Sequence, residues 1–160
     1  MYTTSIDLSA NIRCTSDHLL NARLADAIDL AAQLKHAHWN IHGPHFIALH
    51  QLFDTLHAEV EEQADQMAER IAAFGDTAHG TLREVLVATS LPAYPADAKS
   101  ERTHLEALAG SLCIYSANIR AAARTAENGG DTGTADLFTQ ISRAADRQLW
   151  KIEAHFRPAR

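Results

Sequence analysis

KHAHWNIHGPHFIALHQLFDTLHAEVEEQADQMAER, residues 35–70, runs two helical patterns into a Gly43-Pro44 turn and loads both with metal-binding side chains. After the turn, Leu49, Phe53, Leu56, Val60, Met67 and Ile71 recur at helical intervals, giving one apolar stripe. Before it, Leu20, Leu24, Ala27, Ile28, Ala31 and Leu34 form a matching stripe. Glycine and proline between two such stripes predict an antiparallel helical hairpin.

The same reading extends outward. Periodicity predicts long helices from Ser16 to His42, Phe46 to Phe74, Ala96 to Asn128 and Thr134 to Phe156, with a short one from Thr81 to Thr89 before SLPAYP. The long connection after the second helix lets the second and third long helices run parallel. That connectivity predicts an all-α, ferritin-like four-helix bundle with a short helix in its crossover. One domain is expected across residues 1–160, with 1–15 and 157–160 as short tails.

Composition narrows the function classes. The chain has 160 residues, 46% hydrophobic and 21% charged, enough for a sizeable core. Fourteen basic against twenty acidic residues give −6 at pH 7 with histidine neutral, which offers no general attraction to nucleic acid. Cys14 and Cys113 are too few for a disulfide scaffold and are expected to be reduced thiols. MYTTSIDLSANIR lacks the pattern of a secretory signal, and no apolar run reaches the roughly eighteen residues of a membrane span. A cytoplasmic protein with no membrane partner is expected.

The ten histidines then need sorting. His50 and Asp54 are one turn apart on the second helix, as are Asp65 and Glu69. Eleven residues separate the two pairs, roughly 16 Å of helical rise, so one ion cannot join them within one chain. Two readings stay open. Either His50, Asp54, His57, Glu61, Asp65 and Glu69 are a polar stripe facing water, or two copies of this helix cross antiparallel near residues 59 and 60. In the second case His50 and Asp54 of one copy meet Asp65 and Glu69 of the other. His38 falls level with His50 across the turn, and the resulting N/O ligand set suits ferrous iron or zinc. His36 lies about 160° around the helix from His38 and is expected in solvent. His42, one turn after His38, is a second candidate zinc ligand, and His45 belongs to the turn. HExxH is absent, and the single Glu101-Arg102-Thr103-His104 is half of what a di-iron site inside one bundle requires.

Residues 35–70 resemble the signature of the Dps proteins, the mini-ferritins of bacteria and archaea. Lys-x-x-His-Trp-Asn-x-x-Gly, a following Phe, Leu-His-x-x-x-Asp and Asp-x-x-Ala-Glu-Arg all stand at the family spacing, and DTGTADLFTQISRAADRQLWKIEAH is similar to the family's last helix. The resemblance implies a homo-dodecameric shell built on twofold dimers, which oxidises Fe(II) with hydrogen peroxide or oxygen and stores ferric mineral. It implies a ferroxidase centre with His38, His50 and Asp54 from one subunit and Asp65 and Glu69 from its partner, iron as the metal and zinc as a possible substitute. Trp39 would donate an electron or anchor the interface, and Lys35 would pair with a nearby carboxylate. Asp131 and Asp136, with Glu127 behind them, are candidates for an acidic entry pore, with a plain helix N-cap the alternative for either aspartate; Glu61 and Glu62 are candidates for mineral nucleation, with an acidic helix surface the alternative. DNA-condensing members use basic mobile tails, which this sequence lacks, so DNA binding is expected to be weak or absent. The rival readings are a DNA-compacting shell with secondary iron chemistry and a passive metal buffer.

Overall fold

A computed structural model describes residues 3–156. Its elements are α1 (Ala10–Asn40), α2 (Phe46–Ala73), α3 (Leu82–Ala88), α4 (Glu101–Asn128) and α5 (Thr132–Glu153), closed by a 3-10 turn at Ala154–Phe156. No strand occurs among the described residues. The hairpin of α1 and α2 packs beside the hairpin of α4 and α5, with α3 against α1.

Two contacts fix the direction of the long helices. At one end Glu101, which opens α4, accepts the backbone N–H of His45 at the start of α2 (2.7 Å) and lies 2.8 Å from the His45 ring. The beginnings of α2 and α4 therefore share an end, and the helices run parallel. Gly43 permits this approach: its φ is +129°, and a β-carbon there would sit 2.7 Å from Glu101 Oε1. At the opposite end Asp131 ties the last turn of α2, through Arg70, to the start of α5 and to Ser16 on α1.

The core takes in both predicted stripes except Ile28, which is partly buried, and adds Leu30 and residues of α4 and α5. Leu20, Leu30, Leu34, Phe53, Leu56, Met67, Leu108, Tyr115 and Phe138 are all fully buried. Each such side chain contributes about 1.5–3 kcal/mol through the apolar surface it removes from water. Two buried hydrogen bonds set helix register inside this core: Tyr115 donates to Gln63 (3.0 Å) and Ser111 to Gln33 (2.7 Å).

The helix boundaries depart from the sequence reading in instructive ways. The expected tail 1–15 is helical from Ala10, capped by Ser9, whose hydroxyl accepts the Ile12 N–H. Nothing apolar and periodic marks that first turn and a half; Ser16 anchors it through a hydrogen bond to Asp131, distant in sequence. The helix expected from Ala96 begins at Glu101, where Ser100 caps it. The last helix begins earlier than Thr134 because Asp131 is its N-cap. Residues 157–160 lie outside the described residues. No helix among those described is long and apolar enough to cross a membrane.

Candidate metal centre

The turn of the first hairpin brings His38 and His50 face to face. Their rings stack with centroids 3.7 Å apart and planes inclined by 23°. His38 Nδ1 lies 2.8 Å from the carbonyl oxygen of His50, and His50 Nδ1 lies 2.9 Å from that of His38. A carbonyl oxygen only accepts, so both Nδ1 atoms carry the hydrogen and both Nε2 atoms keep a lone pair in the neutral ring. This is how backbone groups orient histidines for metal binding, by fixing the tautomer and the ring plane together. Burial of apolar residues on either side holds the arrangement, since Leu34, Ala37, Leu49 and Phe53 flank the pair in the two helices and are all buried.

Asp54 stands one turn beyond His50, half-exposed, with one carboxylate oxygen 4.0 Å from the His38 ring. Lys35 donates to the same oxygen at 2.5 Å. That hydrogen bond, supported by the lysine's charge, holds the Asp54 carboxyl below its ordinary value, so it is ionised at neutral pH. Trp39 is 70% exposed, beside His38 in sequence but outside the core.

Asp65 and Glu69 lie farther down α2, both exposed. Asp65 borders an apolar groove between α1 and α2 that Leu24, Ile28 and Ala31 line with His57 and Glu61. Among the described residues, no group of three or more His, Cys, Asp or Glu side chains is placed to hold a metal within one chain. The chain thus carries two separated candidate ligand sets along α2, an imidazole-rich one near the turn and the carboxylates of Asp65, at the groove, and Glu69, one turn on.

The remaining candidates sort by their partners. Asp131, expected at a pore, is 1% exposed. It accepts from Thr134 N–H (3.0 Å) and Ser16 hydroxyl (2.6 Å) and pairs with Arg70 (2.8 Å). Burial opposes its ionisation, yet the bonds from Ser16 and Thr134 and the charge of Arg70 outweigh it, and its carboxyl is held below the ordinary value. Enclosed in this way it is a structural cap and does not present its charge to solvent. Asp136 is exposed, accepting from Gln140 (2.7 Å), and Glu127 is exposed as well. His42 contacts the Asn40 carbonyl, and exposed His36 lies edge-on to Tyr94. Glu101 and His104 have separate partners, His45 and Tyr94, so the one Glu-x-x-His does not act as a unit. The Asp131–Arg70–Ser16 junction had no signal in the sequence, because its members are far apart in the chain and ordinary in type.

Comparison with known proteins gives the same fold throughout. A family profile described as a ferritin-like domain matches residues 18–160. The DNA protection during starvation protein of Agrobacterium fabrum is 42% identical over 154 residues, covering 96% of this chain and 95% of that one. DpsC from Streptomyces coelicolor superposes with a TM-score of 0.95 at 29% identity, over 99% of this chain and 93% of the other. A zinc-soaked structure of Dps from Listeria innocua gives 0.83 at 27% identity, over 88% and 95%.

Proposed function

The chain belongs to the Dps family of ferritin-like proteins, and on that premise we propose that it is a ferroxidase that detoxifies and stores iron. Its substrates are Fe(II) and hydrogen peroxide or oxygen, and its working form is a dodecamer built on twofold dimers, with the ferric product held inside. The observation that carries this reading is the His38–His50 pair, whose Nδ1 atoms are both tied to backbone and whose Nε2 atoms are left to bind metal.

In the proposed centre His38, His50 and Asp54 bind Fe(II) from one subunit, while Asp65 and Glu69 of the partner subunit complete the shell. Imidazole suits Fe(II), and carboxylates stabilise the Fe(III) that forms. Two Fe(II) ions give one electron each to one peroxide; its O–O bond breaks, two protons are taken up, and two waters form without hydroxyl radical. Lys35 pairs with the Asp54 carboxylate and yields its oxygen when iron arrives. Trp39, exposed beside His38, is placed to supply an electron when only one iron is bound. Zinc would occupy the same ligands without turning over. Asp136 and Glu127, not Asp131, are the carboxylates left for an entry pore. The net charge of −6, multiplied by a shell, disfavours DNA, so we assign DNA compaction no part in the activity.

The test adds Fe(II) anaerobically to apo-protein and then peroxide, following ferric absorbance and peroxide consumed. Rapid oxidation near two Fe(II) per peroxide, slowed strongly by Asp65→Ala in an assembled variant, is expected. Oxidation no faster than buffer would leave a passive metal buffer as the better reading.

A further inference from the structure

One polar pair on α2 outside the proposed iron centre has a bonding pattern that protein atoms alone leave open. His57 Nδ1 lies 3.0 Å from the carbonyl oxygen of Ala31 on α1, so that nitrogen carries a hydrogen. The other ring nitrogen, Nε2, is 3.2 Å from Glu61 Oε2. In neutral imidazole Nε2 presents a lone pair, which a carboxylate oxygen at this distance repels. A proton or a metal cation between the two atoms would make that contact favourable.

Three features favour the cation. His57 is posed like His38 and His50: all three give Nδ1–H to a backbone carbonyl across the seam of α1 and α2, leaving Nε2 as the available nitrogen. One imidazole and one carboxylate are ligands that zinc, cobalt and ferrous iron accept. The pair also lies between Asp54 and Asp65, and it borders the same groove as Asp65, where negative charge gathers cations. Within one chain the imidazole is largely enclosed at 16% exposure while the Glu61 side chain is 63% exposed, so the pair is open on the side away from α1.

We infer that His57 and Glu61 form a second divalent-cation site, distinct from the ferroxidase centre, which takes Zn(II), Co(II) or Fe(II) through Nε2 and a carboxylate oxygen. Two ligands from one chain leave the other coordination positions to water or to the partner subunit across the twofold axis. Its role, holding Fe(II) one helical turn from the oxidising ligands, rests on the proposed iron centre; the site itself does not.

Zinc-soaked crystals of the wild-type protein, mapped at the zinc anomalous edge, test this directly. A peak about 2.0–2.1 Å from His57 Nε2 and in bonding range of Glu61 is expected. Peaks at His38 and His50 with none at His57 would overturn the second site and leave the iron centre intact. A peak at His57 alone would keep the second site and remove the proposed centre. In solution, Co(II) titration of His38→Ala/His50→Ala, checked for assembly by size exclusion, should retain binding. Adding His57→Gln should weaken it at least about tenfold, as loss of a ligand does; unchanged affinity would overturn the inference.

Discussion

The two ends of the α2 seam are built on opposite plans. Near the turn, His38 and His50 stack, exchange hydrogen bonds with each other's backbone and are half-buried before any metal arrives. Farther down α2, Asp65 and Glu69 stand exposed on one helix with no hydrogen bond or ion pair of their own among the described residues. In the proposed centre one end is organised by the fold of a single chain, and the other is completed by a second chain. A site divided in this way would make assembly a condition of the proposed activity.

Several substitutions sharpen that contrast. The largest effect is expected away from both ends, at the junction that holds the last turn of α2 in place. Asp131→Ala removes a buried partner of Arg70 and a helix cap, and should cost about 3 kcal/mol or more in urea unfolding. The same carboxyl sets an acid limit. Its folded value is depressed below the ordinary 3.8, so its stabilisation is complete above that value and is lost as pH falls through the folded one. Acid titration of unfolding should show a drop there in wild type that Asp131→Asn lacks.

Next in size, His50→Ala should slow peroxide-driven iron oxidation by roughly tenfold to a hundredfold, the range seen when metal-site organisation is lost. If its stability fell as far as that of Asp131→Ala, the ring would be holding the hairpin and not waiting for metal. A smaller effect is expected from Lys35→Met. Without that lysine Asp54 loses its main cause of depression, so metal binding should begin to fail at a higher pH on acidification. At neutral pH, zinc affinity measured by calorimetry should rise a few-fold because the competing cation is gone. The smallest effect is none: gel retardation of duplex DNA at physiological salt should not change with added protein, given the net charge of −6.

Much of this was legible in residues 35–70. The stripe from Leu49 to Ile71 placed α2 on its core, and the turn at Gly43-Pro44 placed His38 level with His50. The crossover followed from the long connection before α4, and the Glu101–His45 contact gives its physical form. What escaped was polar and tertiary. Ser16 and Arg70 carry no local mark of their meeting with Asp131, so spacing alone starts α1 too late and leaves Asp131 open between a pore residue and the helix cap that it is. The pose of His57 was equally hidden, because its anchor is a backbone carbonyl on another helix. Side-chain type and spacing report what a helix face contains; they do not report which backbone group it will meet.

The central claim is that each centre is shared by two chains, and subunit mixing tests it most directly. Subunits carrying His38→Ala/His50→Ala are unfolded and reassembled at equal ratio with subunits carrying Asp65→Ala/Glu69→Ala, each set being inactive alone. Random pairing restores one intact centre in every mixed dimer, so about a quarter of wild-type oxidation should return when single subunits exchange and re-pair at random. No recovery in a mixture shown by mass to contain mixed dimers would mean that the ligands act within one chain, and the shared centre would be wrong.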